Sequence, residues 1–354
     1  MPLPPADRTI LVYEYLTGGG LYSEGRAALP VSSLLAEGAA MVRALTADFA
    51  QIERCQVHTL CDVRQPELNV GHCDIHLIHD EVEELQLLQH WSARADWTVV
   101  IAPETGAALS RRVEAVEKAG GRLLGPAAKW VRVAAHKTET VQRLATAGVA
   151  TPRLLRSLAE AIYPDDYPLI IKPVDGVGSL GLQRLEFPDP DHPAANTPEQ
   201  WHIEEWVAGL PASVSLLCGD EETIVLPAGQ QCFSEGVQGH YVGGRMPLDQ
   251  PWRGRAERLA QKAIQALPDA CGFVGVDLIL GNAEDGSRDV VLEVNPRLTT
   301  SYVGLRALLD QNLAELMLCL VEGGRCDMVL PEMGIEFDAD GTTRCMSGSR
   351  TIPV

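Results

Sequence analysis

Two apolar, β-branched runs constrain this chain more than any other feature: Gly275-Val276-Asp277-Leu278-Ile279-Leu280, and Val290-Val291-Leu292-Glu293-Val294-Asn295-Pro296-Arg297. The link between them, Gly281 to Ser287, is rich in turn formers, so the runs read as the arms of a β-hairpin. Side chains alternate faces along a strand, which puts Glu293 and Asn295 on one face and Val294 on the other. With Asp277 opposite them, two carboxylates and an amide oxygen converge. Hard oxygen donors of this kind suit Mg²⁺ or Mn²⁺, completed by substrate phosphates. Glu293 lies between Leu292 and Val294, where an unpaired carboxylate carries a desolvation cost that a bound cation offsets.

Such a site predicts a phosphate cradle elsewhere. Leu169-Ile170-Ile171-Lys172 is a short apolar strand ending in a lysine, and Asp175 to Gly181 follows directly. In that loop the backbone around Gly176, Gly178, Ser179 and Gly181 is free to approach phosphate oxygens, and Lys172 adds a point charge. The glycines also match G-x-G-x-x-G, but a dinucleotide fingerprint needs a helix immediately after it. Here Gly181 to Phe187 alternates like a strand and stops at Pro188-Asp189-Pro190. The glycines are therefore expected at the tip of a hairpin, as a mobile lid. Glu204 and Glu205 sit near the distance at which a dinucleotide site places its ribose acid, so a dinucleotide-dependent oxidoreductase stands as the alternative. A non-catalytic nucleotide-binding module is a third reading.

The first ~125 residues alternate strand and helix signals, as a parallel α/β lobe does. Tyr13-Glu14-Tyr15-Leu16-Thr17-Gly18-Gly19-Gly20 follows the first of these strands. Ligands of open α/β sheets gather beyond the carboxyl ends of strands. Glu14 is thus placed to attract a protonated amine, with Thr17, Gly18, Gly19 and Gly20 beside it. His72, Cys73, Asp74, His76 and His79 cluster further on, but strand alternation sends them to opposite faces, so they read as structural residues rather than a zinc site.

A formal net charge of −19 opposes general binding to nucleic acid or anionic membranes. Nine cysteines without a C-x-x-C pair, and no apolar run of membrane-spanning length, fit a reduced, cytoplasmic protein that acts on small molecules; a homodimer is compatible with this.

From about Pro126 to about Leu330 the chain resembles an ATP-grasp domain, and four ordered pieces carry the resemblance. Lys137, opening the helix Lys137 to Leu144, matches the first nucleotide lysine of that family, and Lys172 the second. Asp175 to Gly181 matches its glycine loop. Ile203-Glu204-Glu205-Trp206-Val207-Ala208-Gly209 is similar to the hinge that reads the adenine edge, which implies roles for Glu204, Glu205 and Val207. Asp277, Glu293 and Asn295 are similar to the metal triad. The resemblance implies an α/β and α+β protein with an ATP-grasp fold: a parallel N-terminal lobe (1–125), a central subdomain (126–200), a C-terminal subdomain (201–330), the two halves closing on ATP, and a tail (331–354). It also implies a ligase that joins a carboxylate to an amine through an acyl phosphate.

Two departures stand out. Ala212 and Ser213 occupy the region where relatives carry an acidic ribose contact, and Cys271-Gly272-Phe273 the place of an arginine. Arg297 is expected to supply that cation to a substrate carboxylate or the transferring phosphoryl group. Within the family, the E-Y-x-T-G-G-G opening and the run Asn295 to Ser301 are similar to tyramine:glutamate ligases, which implies glutamate and a tyramine-like amine as substrates.

Overall fold

The computed structural model describes residues 8–24, 33–65, 68, 70–71, 73–174, 182–234, 240–329 and 333–346. The N-terminal lobe is a parallel sheet of β1 (Arg8–Glu14), β2 (Cys55–Asp62), β3 (Asp74–Ile78) and β4 (Trp97–Ile101), in the order β3-β2-β1-β4. Three helices accompany it: α1 (Ser33–Ala50), α2 (Glu81–Ser92) and α3 (Ala108–Lys118). The central strand β1 is an unbroken apolar run, Ile10 to Tyr13, because both its faces are covered. At the edge strand β3, His76 stacks on Trp91 at 4.0 Å and lies 3.0 Å from His58, which stacks on the same ring. Those histidines are packing groups, while His72 lies outside the described residues.

Helices α4 (Ala128–Ala135) and α5 (Lys137–Thr146) come next. A small antiparallel sheet follows, with β5 (Leu154–Leu155), β6 (Leu169–Pro173), β7 (Gln183–Leu185) and β8 (Trp201–Glu205) in the order β5-β8-β6-β7; the short α6 (Pro193–Asn196) lies between β7 and β8. The large sheet has β9 (Leu210–Cys218), β10 (Thr223–Val225), β11 (Gly229–Phe233), β12 (Tyr241–Met246), β13 (Gly272–Leu280), β14 (Val290–Asn295), β15 (Gly334–Asp338) and β16 (Thr343–Met346). Its order is β14-β13-β9-β11-β12-β15-β16, with β10 paired to β9. Helices α7 (Trp252–Gln265), α8 (Ser301–Leu308) and α9 (Leu313–Val321) complete the chain.

Three expected boundaries move. β8 pairs antiparallel with β6, so the central subdomain runs past residue 200 to the end of that strand. Helices α4 and α5 are not part of the central unit. Trp130, Ala134 and Leu144 share a core with Val214, Val276 and Val294 of the large sheet, an amphipathic face finding its apolar partner. Residues 333–346 are not a tail but a hairpin that extends the large sheet, with Ile335 and Phe337 buried beneath it.

A second core joins the N-terminal lobe to the large sheet. Leu45 and Phe49 of α1 lie in one cluster with Phe273, Tyr302, Leu313 and Phe337. Asp48 reinforces this joint by accepting hydrogen bonds from Tyr302 (2.6 Å) and Arg306 (2.7 Å). The lobe is thereby fixed with the carboxyl ends of β1 and β4 toward the metal-type hairpin. Among the described residues no helix is long and apolar enough to cross a membrane.

Candidate active site

The hairpin is present with the expected register. β13 and β14 are antiparallel and Asp277 faces Glu293, with Gly275 opposite Asn295. Asn295 Nδ2 donates to Asp277 Oδ2 at 3.0 Å, and Gln231 Nε2, from β11, donates to Asp277 Oδ1 at 2.9 Å. Two half-buried carboxylates face each other there. That burial, with the charge of Glu293, pushes the Asp277 carboxyl up to about 7. Burial acts in the same sense on Glu293, but the ammonium groups of Lys137 and Lys172 more than offset it and hold its carboxyl below the ordinary range. Crowded anions with amide groups around them fit a divalent cation, whose charge would offset both the burial and the repulsion that raise Asp277.

Both lysines reach this place from different elements. Lys137 opens α5, packed behind β14, and its Nζ lies 3.4 Å from Glu293. Lys172 ends β6, is 9% exposed and donates to Glu204 Oε1 at 2.7 Å. Burial opposes the charge on both partners, yet Lys172 is raised and Glu204 is drawn down to about 2, so the pair is ionised over the whole neutral range. Arg297, just beyond β14, gives its Nε and Nη2 to Glu104 at 3.0 and 3.2 Å. Glu104 follows β4, so this bidentate pair spans the two lobes.

Residues 134–301 match the ATP-grasp domain, and residues 55–131 the pre ATP-grasp 3 domain. The chain thus carries a pre ATP-grasp domain followed by an ATP-grasp domain. It is similar to the tyramine–L-glutamate ligase of Methanocaldococcus fervens, at 26% identity over 313 residues, 87% of this chain and 92% of that one. Among solved structures, an ATP-grasp superfamily protein from Archaeoglobus fulgidus superposes with a TM-score of 0.69 at 20% identity, covering 94% of this chain and 92% of its own. An L-amino acid ligase from Bacillus licheniformis superposes with a TM-score of 0.65 at 16% identity, covering 94% and 80%. The two structural likenesses establish the ATP-grasp fold.

Within the ATP-grasp site, Gly176, Gly178, Ser179 and Gly181 lie outside the described residues. The strands flanking them do answer the dinucleotide alternative. β7 returns antiparallel to β6, pairing Leu169 with Leu185 and Ile171 with Gln183. A strand therefore stands where the fingerprint needs a helix, and the oxidoreductase reading falls. At the hinge, Glu204 turns inward to Lys172. Glu205 at the end of β8 and Val207 just beyond it are half-buried, and the exposed Trp206 between them lies under the Arg184 guanidinium, 4.4 Å from its ring centroid.

The N-terminal loop differs from expectation. Glu14 does not face a ligand: it is 2% exposed, and it accepts from Leu16 N (3.1 Å), Thr17 N (2.7 Å) and Thr17 Oγ1 (2.7 Å). A Cβ on Gly38 of α1 would lie 2.7 Å from that carboxyl group, so the helix closes over it. Gly18, Gly19 and Gly20 are equally packed, and a Cβ on Gly20 would meet the Tyr15 ring at 2.1 Å. These glycines allow the loop to fold onto itself rather than onto a ligand. Burial raises the Glu14 carboxyl despite its three donors.

Another acid, Glu37 of α1, is half-buried and within electrostatic reach of Arg297. Thr300 Oγ1 donates to its Oε2 at 3.1 Å, and its Oε1 has no partner among the described residues. Glu37, Glu104, Gln231 and His202 escaped the sequence reading. Only Glu104, beyond the carboxyl end of a strand, and His202, two residues from Glu204 on the same strand face, carried a readable signal.

Proposed function

We propose that this chain is an ATP-dependent ligase that joins a carboxylate to an amine through an acyl phosphate. The observation that carries the reading is the facing pair Asp277 and Glu293 with two buried or near-buried lysines beside it. Lys137 and Lys172 hold the phosphates in line with the attacking carboxylate, and catalysis by positioning needs no nucleophilic side chain. Asp277, Glu293 and Asn295 are the residues that would hold Mg²⁺ or Mn²⁺; when bound, the ion supplies charge neutralisation at the β and γ phosphates. The carboxylate oxygen takes the γ-phosphoryl group and ADP leaves. The amine nitrogen then attacks the acyl carbon, inorganic phosphate departs, and the nitrogen gives up its proton.

Arg297 lies within electrostatic reach of Asp277 and Glu293, with Glu104 fixing the plane of its guanidinium. Its Nη1 edge, 3.4 Å from Leu298 O, is the part left for a substrate oxygen. Glu37, with one carboxylate oxygen available, is the group that would attract the protonated amine before attack. The Methanocaldococcus relative is named for tyramine and L-glutamate, and the shared coverage supports glutamate as the carboxylate and a tyramine-like compound as the amine. All nine cysteines are free thiols, in keeping with the cytoplasm. ADP release with Mg²⁺, glutamate and a panel of amines tests the reading. Sustained ADP release should need acid and amine together, since acid alone yields no more ADP than one acyl phosphate per site. Hydrolysis that ignores both, or no ADP with any pair, would defeat it.

A further inference from the structure

His202 is buried to 1% exposure at the junction of the two ATP-grasp subdomains. On β8 it pairs directly with Lys172 of β6, and Glu204 lies two residues further along the same face. Its Nε2 lies 2.8 Å from Glu204 Oε2, and the other oxygen of that carboxylate is the one that holds Lys172. Its Nδ1 lies 3.3 Å from the hydroxyl of Thr138, which sits in the first turn of α5 beside Lys137. The hydrogen-bond pattern fixes the tautomer. A carboxylate can only accept, so Nε2 carries the proton and donates; Nδ1 is left to accept from the Thr138 hydroxyl. Burial lowers the imidazole's proton affinity, which keeps this neutral form.

One imidazole therefore touches the support of both lysines, which sit on different bodies: Lys172 in the small sheet, Lys137 on the helix packed against the large one. We propose that His202 is a positioning residue that sets the spacing between Lys137 and Lys172, and through it the affinity for the nucleotide's phosphates. Without its donor, Glu204 Oε2 is a buried, unsatisfied charged oxygen, and the carboxylate turns both oxygens on Lys172. Lys172 is then drawn away from phosphate, and α5 loses its polar tie to β8.

The inference rests on the nucleotide reading, and equilibrium titration with ATP and Mg²⁺ separates the two. A wild-type protein that binds no ATP overturns the nucleotide reading and this inference with it. If the wild type binds, His202→Ala should weaken ATP binding about tenfold or more, in line with a lost hydrogen bond to a charged group. His202→Gln, which returns an N–H toward Glu204, should recover most of that loss. In turnover, the Michaelis constant for ATP should rise in His202→Ala while those for the carboxylate and amine stay within about twofold, a split that general loosening of the fold does not produce. Thr138→Val leaves the imidazole in place and removes only the second tie. It should weaken ATP binding about threefold to tenfold, and it carries the test if His202→Ala does not fold. Wild-type ATP affinity in Thr138→Val, together with wild-type affinity, a non-selective loss or a failure to fold in His202→Ala, would overturn the proposal.

Discussion

Replacing Glu293 by Gln probes the centre of the site, because it removes one charge and keeps the shape. In the folded protein Glu293 faces Asp277 across the strands and lies 3.4 Å from Lys137. Two electrostatic effects on stability oppose each other. Losing the anion weakens the hold on Lys137, and at the same time relieves the repulsion that, with burial as the larger cause, pushes Asp277 up to about 7. Each is on the order of 1 kcal/mol for a partly exposed pair after solvent screening, so the melting temperature should move by only a few degrees. Catalysis has no such compensation. A cation site reduced from two carboxylates to one should lose roughly two or more powers of ten in turnover, and the Mg²⁺ concentration for half-maximal rate should climb. Steady-state ADP release across a Mg²⁺ series, beside a thermal melt, reads both effects. Turnover equal to wild type at every Mg²⁺ concentration, with an unchanged melt, would refute the assignment of Glu293 as a cation ligand.

The remaining expectations address pH, the bridge between lobes and the two acids of the N-terminal lobe. Asp277 binds its proton more tightly folded than unfolded, so in metal-free buffer its contribution to stability is full below its ordinary pKa of 3.8 and is lost as pH rises through about 7. Denaturant titrations from pH 5 to 8 should show this fall in wild type and a flatter curve in Asp277→Asn; parallel curves would contradict it. Arg297→Lys keeps the charge but loses the two-pronged grip on Glu104, and turnover should drop about tenfold or more, with Glu104→Gln reproducing most of the drop. A wild-type rate in Glu104→Gln beside an inactive Arg297→Lys would assign the arginine to substrate rather than to the bridge. Glu37→Gln should raise the Michaelis constant for the amine about tenfold, whereas Glu14→Gln should chiefly lower the melting temperature by breaking up the acceptor set of its loop. The reverse pattern would return the amine to Glu14.

What could be read from the chain alone follows from the range of each interaction. The hairpin of β13 and β14 was legible because a period of two and a turn-rich link fix which side chains share a face, and the Asp277 to Glu293 pairing needs nothing more distant. Lys172 was legible for the same reason, as a polar end to an apolar strand. Glu14 was misread because its surroundings are set elsewhere. Its position at a strand end is a local fact, but the helix that covers it at Gly38 and the loop donors that saturate it depend on how tightly the turn folds back. The bridge from Arg297 to Glu104 joins residues 193 positions apart, and no periodicity in either segment carries that distance. The hairpin of β15 and β16 shows a different loss. Ile335 and Phe337 alternate with polar residues as a strand with one covered face should, but the polar composition around them outweighed two buried side chains. Local alternation thus locates the charged groups of the site. The packing of one lobe on the other decides which of those groups are spent on each other and which, like Oε1 of Glu37, are left without a partner among the described residues.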